Sequence, residues 1–220
     1  MTAAVEAVSI SKFFDSGRLV IDDVSFPVQP GEVLEVVGPN GTGETTAIRM
    51  VLNVIRPDSG RVLLFGEPFA DNHRPMLDYL PEERGPYRDQ KVLPTLEYLG
   101  ALKRLTKQAA RESGGMLERL EVAQHAEAKV SDLSKGMSQL IHLASTLLHG
   151  PQLVVLDEPF SVLDPVNVRL VKEILTETRA NGATTIFSTH QMNQVEEMCD
   201  RVMMITYGRV ILHVTLDEVR

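Results

Sequence analysis

Alternating and continuous apolar runs divide this chain into predicted strands. Residues 4–10 and 19–28 alternate apolar and polar side chains around a turn at residues 15–17, which predicts two antiparallel strands. Residues 33–37 and 153–156 are short, continuous or nearly continuous apolar runs, the pattern of strands that are covered on both faces. These runs therefore predict a sheet with layers packed on both of its sides.

Apolar residues at helical spacing predict that the middle of the chain is mostly helical. Between about residues 93 and 128 they recur at intervals typical of a helix, as at Leu96, Leu99 and Leu102, and no strand pattern interrupts them. The order of elements indicates one α/β domain with a helical insert. The predicted organisation is a single domain, 1–220, with a core of about 1–85 and 150–220 and a helical subdomain of about 86–149.

The overall charge and the absence of long apolar runs narrow the class of protein. The chain carries 22 Lys and Arg residues against 30 Asp and Glu residues, a net charge of −8, which argues against nucleic acid as its main partner. No apolar run approaches the length of a membrane span, and the N-terminus lacks the pattern of a signal peptide. These features predict a soluble cytoplasmic protein.

The stretch from Gly38 to Thr46 has the pattern of a phosphate-binding loop. In the consensus G-x-x-x-x-G-K-[ST], Gly38, Gly43 and Thr45 occupy their places, and backbone N–H groups of such a loop converge on phosphate at a helix N-terminus. Glu44 stands at the lysine position. Since a charge pair about 4 Å apart is worth roughly 4 kcal/mol at an effective dielectric near 20, we expect the loop to hold a triphosphate poorly unless another group neutralises Glu44.

Polar residues also follow two other predicted strands. Asp157 and Glu158 end the run at 153–156, and His190 follows the strand predicted at 184–187. Because open α/β sheets bind ligands at the carboxyl ends of their strands, we expect these side chains near the phosphate loop. Carboxylate oxygens suit Mg²⁺, and a carboxylate can also act on water. The sequence therefore predicts a site for a magnesium nucleotide.

Glu35 is an ionisable residue in the middle of the strand that leads into the phosphate loop. A central strand of an α/β sheet is covered on both faces, so this carboxylate is expected to be buried. Burial of an unpaired carboxylate is costly. We therefore expect Glu35 either to have a partner or to be protonated.

Several motifs in a fixed order resemble the nucleotide-binding domain of ATP-binding cassette (ABC) transporters across essentially the whole chain. Gly38 to Thr46 is similar to the Walker A loop, 153–158 to Walker B, and His190 to the switch histidine. The segment 133–136, Leu-Ser-Lys-Gly, is similar to the family signature, and 161–164 to the D-loop. The variants at 79–85 and 133–137 resemble the bacterial branch that includes sodium and drug exporters. The resemblance implies an α/β fold: a P-loop NTPase (RecA-like) core, an N-terminal antiparallel β subdomain and an inserted α-helical subdomain.

The resemblance also implies roles for individual residues. Thr45 and Asp157 would hold Mg²⁺, Glu158 would polarise the attacking water, and His190 would contact the γ-phosphate of ATP. Ser134 and Gly136 would reach the partner's γ-phosphate across a head-to-tail dimer. One of Phe13 and Phe14, by register Phe14, would stack on adenine. The remaining nucleotide contacts would come from Gly38, Pro39, Asn40, Gly41, Thr42, Gly43, Glu44, Thr46 and Asp164, and from Glu82, whose loop would contact a membrane permease.

Departures from the family pattern bear on activity rather than on fold. Glu44 replaces the lysine, and further departures are found at Glu35, Asn53, Ser138, Leu140 and Val162. Two functions remain open. The first is an ATP-binding subunit that drives transport by a separate permease from the inner face of the membrane, with ATPase activity impaired by Glu44. The second is a catalytically impaired cassette that acts as a binding or regulatory partner in a heterodimer.

Overall fold

The elements of the chain are defined by a computed structural model, which describes residues 2–14, 17–39, 41–82, 89–103, 105–106, 114–190 and 198–219. The strands are β1 (Val5–Phe14), β2 (Arg18–Val28), β3 (Val33–Val37), β4 (Ser59–Leu64), β5 (Glu67–Pro68), β6 (Leu77–Leu80), β7 (Leu153–Asp157), β8 (Thr184–Ser188), β9 (Arg201–Thr206) and β10 (Arg209–Thr215). The α-helices are α1 (Glu44–Val51), α2 (Val92–Leu102), α3 (Gly114–Arg119), α4 (Lys135–Leu147), α5 (Pro165–Ala180) and α6 (Leu216–Val219). None of the helices in these ranges is both long and apolar enough to cross a membrane.

Two sheets form the framework. The larger sheet has the order β10-β9-β3-β8-β7-β6, in which β9, β3, β8, β7 and β6 are parallel and β10 pairs antiparallel with β9. The smaller sheet is antiparallel, with the order β2-β1-β4-β5. All five residues of β3 are buried, as are all five of β7, which is why their sequences are continuous apolar runs broken only by Glu35 and Asp157. The predicted fold class, with its N-terminal antiparallel strands, is confirmed.

A hydrophobic cluster covers each face of the parallel sheet. On one face, the antiparallel sheet and α1 pack over residues such as Leu34 and Val155. On the other face, α2, α3, α4 and α5 pack over residues such as Val154 and Phe187. The helical region therefore shares its core with the sheet, and its limits at about 86 and 149 stay a prediction. The helical spacing of the apolar residues predicts their burial only in part, since Leu96 is buried while Leu102 is 59% exposed.

Local hydrogen bonds define where the long helices begin. Ser134 caps α4, because its hydroxyl accepts a hydrogen bond from the backbone N–H of Met137. Asp164 caps α5 in the same way, and Pro165 in the first turn has no N–H that needs a partner.

The C-terminal end of α1 is followed by Asn53, which has φ +54°, a left-handed conformation that asparagine tolerates better than most residues. Asn53 can therefore stand where the family pattern has glycine.

Candidate functional site

The carboxyl ends of the central strands bring the predicted chemical residues to one edge of the parallel sheet. The phosphate loop follows β3, the two acids come at the end of β7, and His190 follows β8. A pocket of about 370 Å³ opens there. Its lining residues are Val20, Gly41, Gly43, Glu44, Thr45, Thr46, Glu82 and His190. Asn40 lies outside the described residues, as do residues 83–88, which follow Glu82.

Two glycines of the loop are required by close packing. A Cβ atom at Gly38 would lie 2.3 Å from the carbonyl oxygen of Ile205, which no side chain could occupy without moving the backbone. Gly43 has φ +118°, and a Cβ atom there would lie 2.8 Å from the carbonyl oxygen of Val20. The loop is thus held tightly between β9 and β2, and α1 begins directly after it.

Glu44 is turned into the phosphate loop rather than away from it. Its side chain is 7% exposed, and its Oε1 lies 2.5 Å from the hydroxyl of Thr42. Glu44 is also the first residue of α1, where the helix dipole favours a negative charge. The carboxylate therefore uses part of the attraction that this helix end would offer to a phosphate. Its observed hydrogen-bond partner is a neutral hydroxyl and supplies no compensating charge.

Thr42 connects the loop to its surroundings through one hydroxyl group. Besides Glu44 Oε1, this hydroxyl lies 2.8 Å from the carbonyl oxygen of Pro39 and 3.0 Å from that of Ile205. A hydroxyl has one hydrogen to donate, so the three acceptors compete for it. The conformation of the loop and the position of Glu44 are consequently coupled.

Asp157 is buried and fixed by two hydroxyl donors. It is 2% exposed, its Oδ1 accepts a hydrogen bond of 2.6 Å from Ser188 Oγ, and its Oδ2 accepts one of 3.2 Å from Tyr79 OH. Both donors are neutral and leave lone pairs of the carboxylate free. Asp157 is therefore held in one orientation and can still accept a hydrogen bond from a metal-bound water.

Glu158 is strained and largely buried at the end of β7. It has φ +51°, an uncommon value for a residue other than glycine, and its backbone is tied to β8 because its N–H donates to the carbonyl oxygen of Ser188. Burial raises the pKa of its carboxyl, while the nearby His190 and Thr189 oppose part of the rise. His190 Nε2 lies 3.5 Å from Glu158 Oε1, and the side chain of His190 is half exposed. The predicted neighbourhood of these two side chains is observed.

Glu35 is buried, as the sequence indicates, and no ion pair joins it to a cation in the part of the chain that the structure describes. Its side chain is 3% exposed, and its Oε1 accepts no hydrogen bond from any residue that the structure describes. Burial, and after it the charge of Glu158, raises the pKa of Glu35 to about 8. The sequence predicts that Glu35 either has a partner or is protonated, and the structure favours protonation at neutral pH.

The signature residues lie beside the D-loop and do not line the pocket. Ser134 is exposed at the start of α4, and a Cβ atom at Gly136 would lie 3.2 Å from the carbonyl oxygen of Val162. Asp164 accepts hydrogen bonds from the N–H groups of Asn167 and Val166, and these bonds, that from Asn167 most of all, lower its pKa. This surface faces solvent in the single chain.

Phe14 is likewise outside the pocket lining. It is the last residue of β1, 43% of it is exposed, and the ammonium group of Lys12 lies 6.0 Å from its ring centroid. Phe13 is exposed to a similar degree, at 49%. The ring of Phe14 is thus accessible to a ligand, and its predicted contact with adenine stays a prediction.

Several residues that shape the site are not among those that the sequence predicts. Val20 lines the pocket from β2, and Tyr79 and Ser188 orient Asp157. Ser188 and Thr189 do stand directly before His190, so their position at a strand end was a usable signal. Val20 and Tyr79 carry no such signal, since their roles depend on how separate strands meet.

Comparisons with known proteins agree with this architecture. The family model described as "ABC transporter" matches residues 21–161. An uncharacterised ABC transporter ATP-binding protein of Methanocaldococcus jannaschii is 35% identical over 220 residues, which cover 100% of this chain and 80% of the relative. Nod factor export ATP-binding protein I of Burkholderia pseudomallei is 37% identical over 213 residues, which cover 95% of this chain and 70% of the relative.

Solved structures are similar over nearly the full length. An ATP-binding subunit of an ABC transporter has a TM-score of 0.91 and 28% identity, covering 99% of this chain and 92% of that chain. An ATP-binding cassette in its ADP conformation has a TM-score of 0.84 at 21% identity, covering 98% and 92%, and shows the fold alone. Together with the family match over residues 21–161, these similarities show that the chain belongs to the ABC transporter family, among its ATP-binding proteins.

Proposed function

We propose that this chain is a transporter subunit that couples ATP binding and hydrolysis to transport by a separate membrane permease. One observation carries the proposal: a single pocket unites the phosphate-loop residues Gly43 and Thr45 with His190, which in turn contacts the buried Glu158. A phosphate-binding loop, a metal ligand and a residue that acts on water are the parts that ATP hydrolysis needs. The Nod factor export relative supports an exporter as the permease.

The donor set fits magnesium. Thr45 offers a hydroxyl from the first turn of α1, and Asp157 offers an oriented carboxylate. Mg²⁺ in nucleotide sites keeps several waters and needs only one or two protein oxygens besides the phosphates, so no larger acidic cluster is required. When bound, the ion would neutralise charge on the phosphates. Thr45 would ligate it directly, and Asp157 would hold it through water.

Glu158 and His190 are proposed to act on the reaction itself. Glu158 would polarise the attacking water, because it is a buried carboxylate 3.5 Å from the pocket residue His190 and its Oε1 accepts no hydrogen bond from the described residues. His190 would contact the γ-phosphate, since its half-exposed ring lines the pocket. Its 3.5 Å approach to Glu158 would keep both groups at the same phosphate.

The remaining contacts are those that the family motifs imply. The loop residues Gly38, Pro39, Asn40, Gly41, Thr42, Gly43 and Thr46 would surround the phosphates, and Phe14 would stack on adenine. Glu82 lines the pocket at the start of a segment that is rich in charged residues, which supports a role in transmitting the state of the site to the permease. Contact with that permease would hold the chain at the inner, cytoplasmic face of the membrane. No contact with nucleic acid is part of this proposal.

A second candidate function follows from the position of Glu44. Because this carboxylate lies inside the loop, it would repel the terminal phosphates of ATP, at roughly 4 kcal/mol for a charge pair 4 Å apart. The exposed Ser134, together with Gly136 and Asp164, is nevertheless available to a second cassette. In a head-to-tail pair these residues would complete a partner's site. Such an arrangement favours a heterodimer over a homodimer, in which both sites would carry Glu44.

Mg-ATP affinity of the purified chain tests the proposal. Glu44→Lys should strengthen binding by several kcal/mol, which is orders of magnitude at roughly 1.4 kcal/mol per decade. Glu44→Gln is the matched control, since it removes the repulsion without adding a cation, and it should bind with intermediate affinity. Failure of all three forms to bind Mg-ATP would overturn the proposed function. Equal, tight binding by all three would show that Glu44 does not weaken the site.

A further inference from the structure

The turn between β9 and β10 lies directly against the phosphate loop. The backbone N–H of Gly208 donates a hydrogen bond of 3.0 Å to the carbonyl oxygen of Thr42. A second link comes from Ile205, whose carbonyl oxygen lies 3.0 Å from the Thr42 hydroxyl. The loop is thus bonded through Thr42 to a hairpin that lies more than 160 residues later in the chain, since Thr42 and Ile205 are 163 positions apart.

Strand β2 holds this turn from the other side. The N–H of Asp22 donates a hydrogen bond of 2.8 Å to the carbonyl oxygen of Gly208. The Asp22 carboxylate accepts from the guanidinium group of Arg209, with Nη2 and Nε at 2.6 and 2.7 Å from Oδ2. Asp22 therefore contacts both the backbone and the side chain of the hairpin. Because Val20 on the same strand lines the pocket, these contacts join three segments around one site.

The sequence of the turn suits this close approach. Tyr207 and Gly208 have φ values of +50° and +77°, as two-residue hairpin turns require. A Cβ atom at Gly208 would lie 2.4 Å from the carbonyl oxygen of Val20, so only glycine allows the turn to reach β2. Tyr207 is 89% exposed and contributes little packing. The turn is therefore held by its backbone and by Arg209.

We propose that the Tyr207–Gly208 turn positions the phosphate loop, with Gly208, Asp22 and Arg209 as positioning residues for nucleotide binding. The hydrogen bond to the Thr42 carbonyl fixes the peptide that precedes Gly43, whose N–H is among those that would face phosphate. Loss of the contact would let the loop open without unfolding the sheet. The nucleotide part of this inference rests on the proposed function, whereas the support of the loop does not.

Amide hydrogen exchange of residues 38–46 tests the support of the loop in the chain without nucleotide. Arg209→Ala should speed exchange of these amides roughly two- to fivefold, the range that loss of one modest contact gives. Gly208→Ala should speed it more, and Arg209→Lys should restore most of the protection. The matched control is Arg179→Ala, which removes an Arg–Asp ion pair of 2.8 Å with Asp200, away from the loop. Equal exchange in Arg209→Ala, Arg179→Ala and the unmodified chain would overturn the proposal.

The affinity of the chain for Mg-ATP provides a second test of the proposal. In the Glu44→Lys chain, Arg209→Ala should weaken Mg-ATP binding by about the same factor as it speeds exchange. The melting temperatures of the Arg209→Ala and Arg179→Ala variants should be the same. If the unmodified chain, Glu44→Gln and Glu44→Lys all bind no nucleotide while the exchange results are as expected, the proposed function fails and the positioning of the loop stands. If binding occurs but Arg209→Ala leaves affinity unchanged, the positioning role is overturned.

Discussion

Replacement of Glu35 by glutamine should stabilise the protein at neutral pH and flatten the dependence of its stability on pH. Glu35 is 3% exposed, its Oε1 has no hydrogen bond among the described residues, and its pKa is raised from 4.5 to about 8. Glutamine keeps the size and the buried polar group and removes only the titration. The substitution therefore isolates the cost of keeping this carboxyl group protonated.

The size of the effect follows from the two pKa values. Between pH 4.5 and 8 the unfolded chain has released a proton that folded Glu35 still holds, so the folded state loses stability as the pH rises through this range. Each pKa unit corresponds to about 1.4 kcal/mol, which gives a penalty of about 3 kcal/mol at pH 7. Glu35→Gln should remove it and raise the melting temperature by about 6 to 12 °C in a domain of this size. Below pH 4.5 the two proteins should be equally stable.

Urea unfolding of both proteins from pH 4 to 8.5 measures the effect. Glu32→Gln is the matched control, because Glu32 is also a buried carboxylate but is paired with Arg201 at 2.7 Å. This control should lower stability at pH 7. A stability difference between Glu35→Gln and the unmodified chain that does not change with pH would refute the reasoning. A less stable Glu35→Gln at pH 7 would show that the carboxylate of Glu35 has a stabilising partner.

Three further results are expected. Co-expression with a lysine-bearing cassette should yield ATPase activity that Ser134→Arg abolishes, and an unaltered rate would exclude the head-to-tail role. In the Glu44→Lys chain, Glu158→Gln should keep Mg-ATP binding and abolish turnover in a phosphate-release assay, since Glu158 is proposed to act on water; retained turnover would contradict that role. Burial lowers the pKa of His149, so the folded state should lose stability as the pH falls below 6.5, because the unfolded chain then binds a proton that folded His149 does not. His149→Leu should therefore reduce the loss of melting temperature between pH 7 and 5.5, and an unchanged pH profile would contradict this account.

Local patterns determined the framework of this protein. The alternation in the first strands and the apolar runs of β3 and β7 predict strands because each side chain's burial depends on which face of the sheet it meets. The caps Ser134 and Asp164 are equally local, since each side chain bonds N–H groups two or three residues ahead. The family motifs are short segments of this kind, which is why the edge of the sheet that carries the candidate site could be predicted.

The tertiary structure alone decided the direction of Glu44 and the surroundings of Glu35. Both are recognisable in the sequence as misplaced charges, but whether a base neutralises them depends on residues far away in the chain. The support of the phosphate loop by Gly208 has the same character, because the atoms that bond Thr42 belong to a hairpin near the other end of the sequence. Helices and strands are specified by residues that are close together in the sequence. Charge compensation and close backbone contacts arise only when separate strands are packed together.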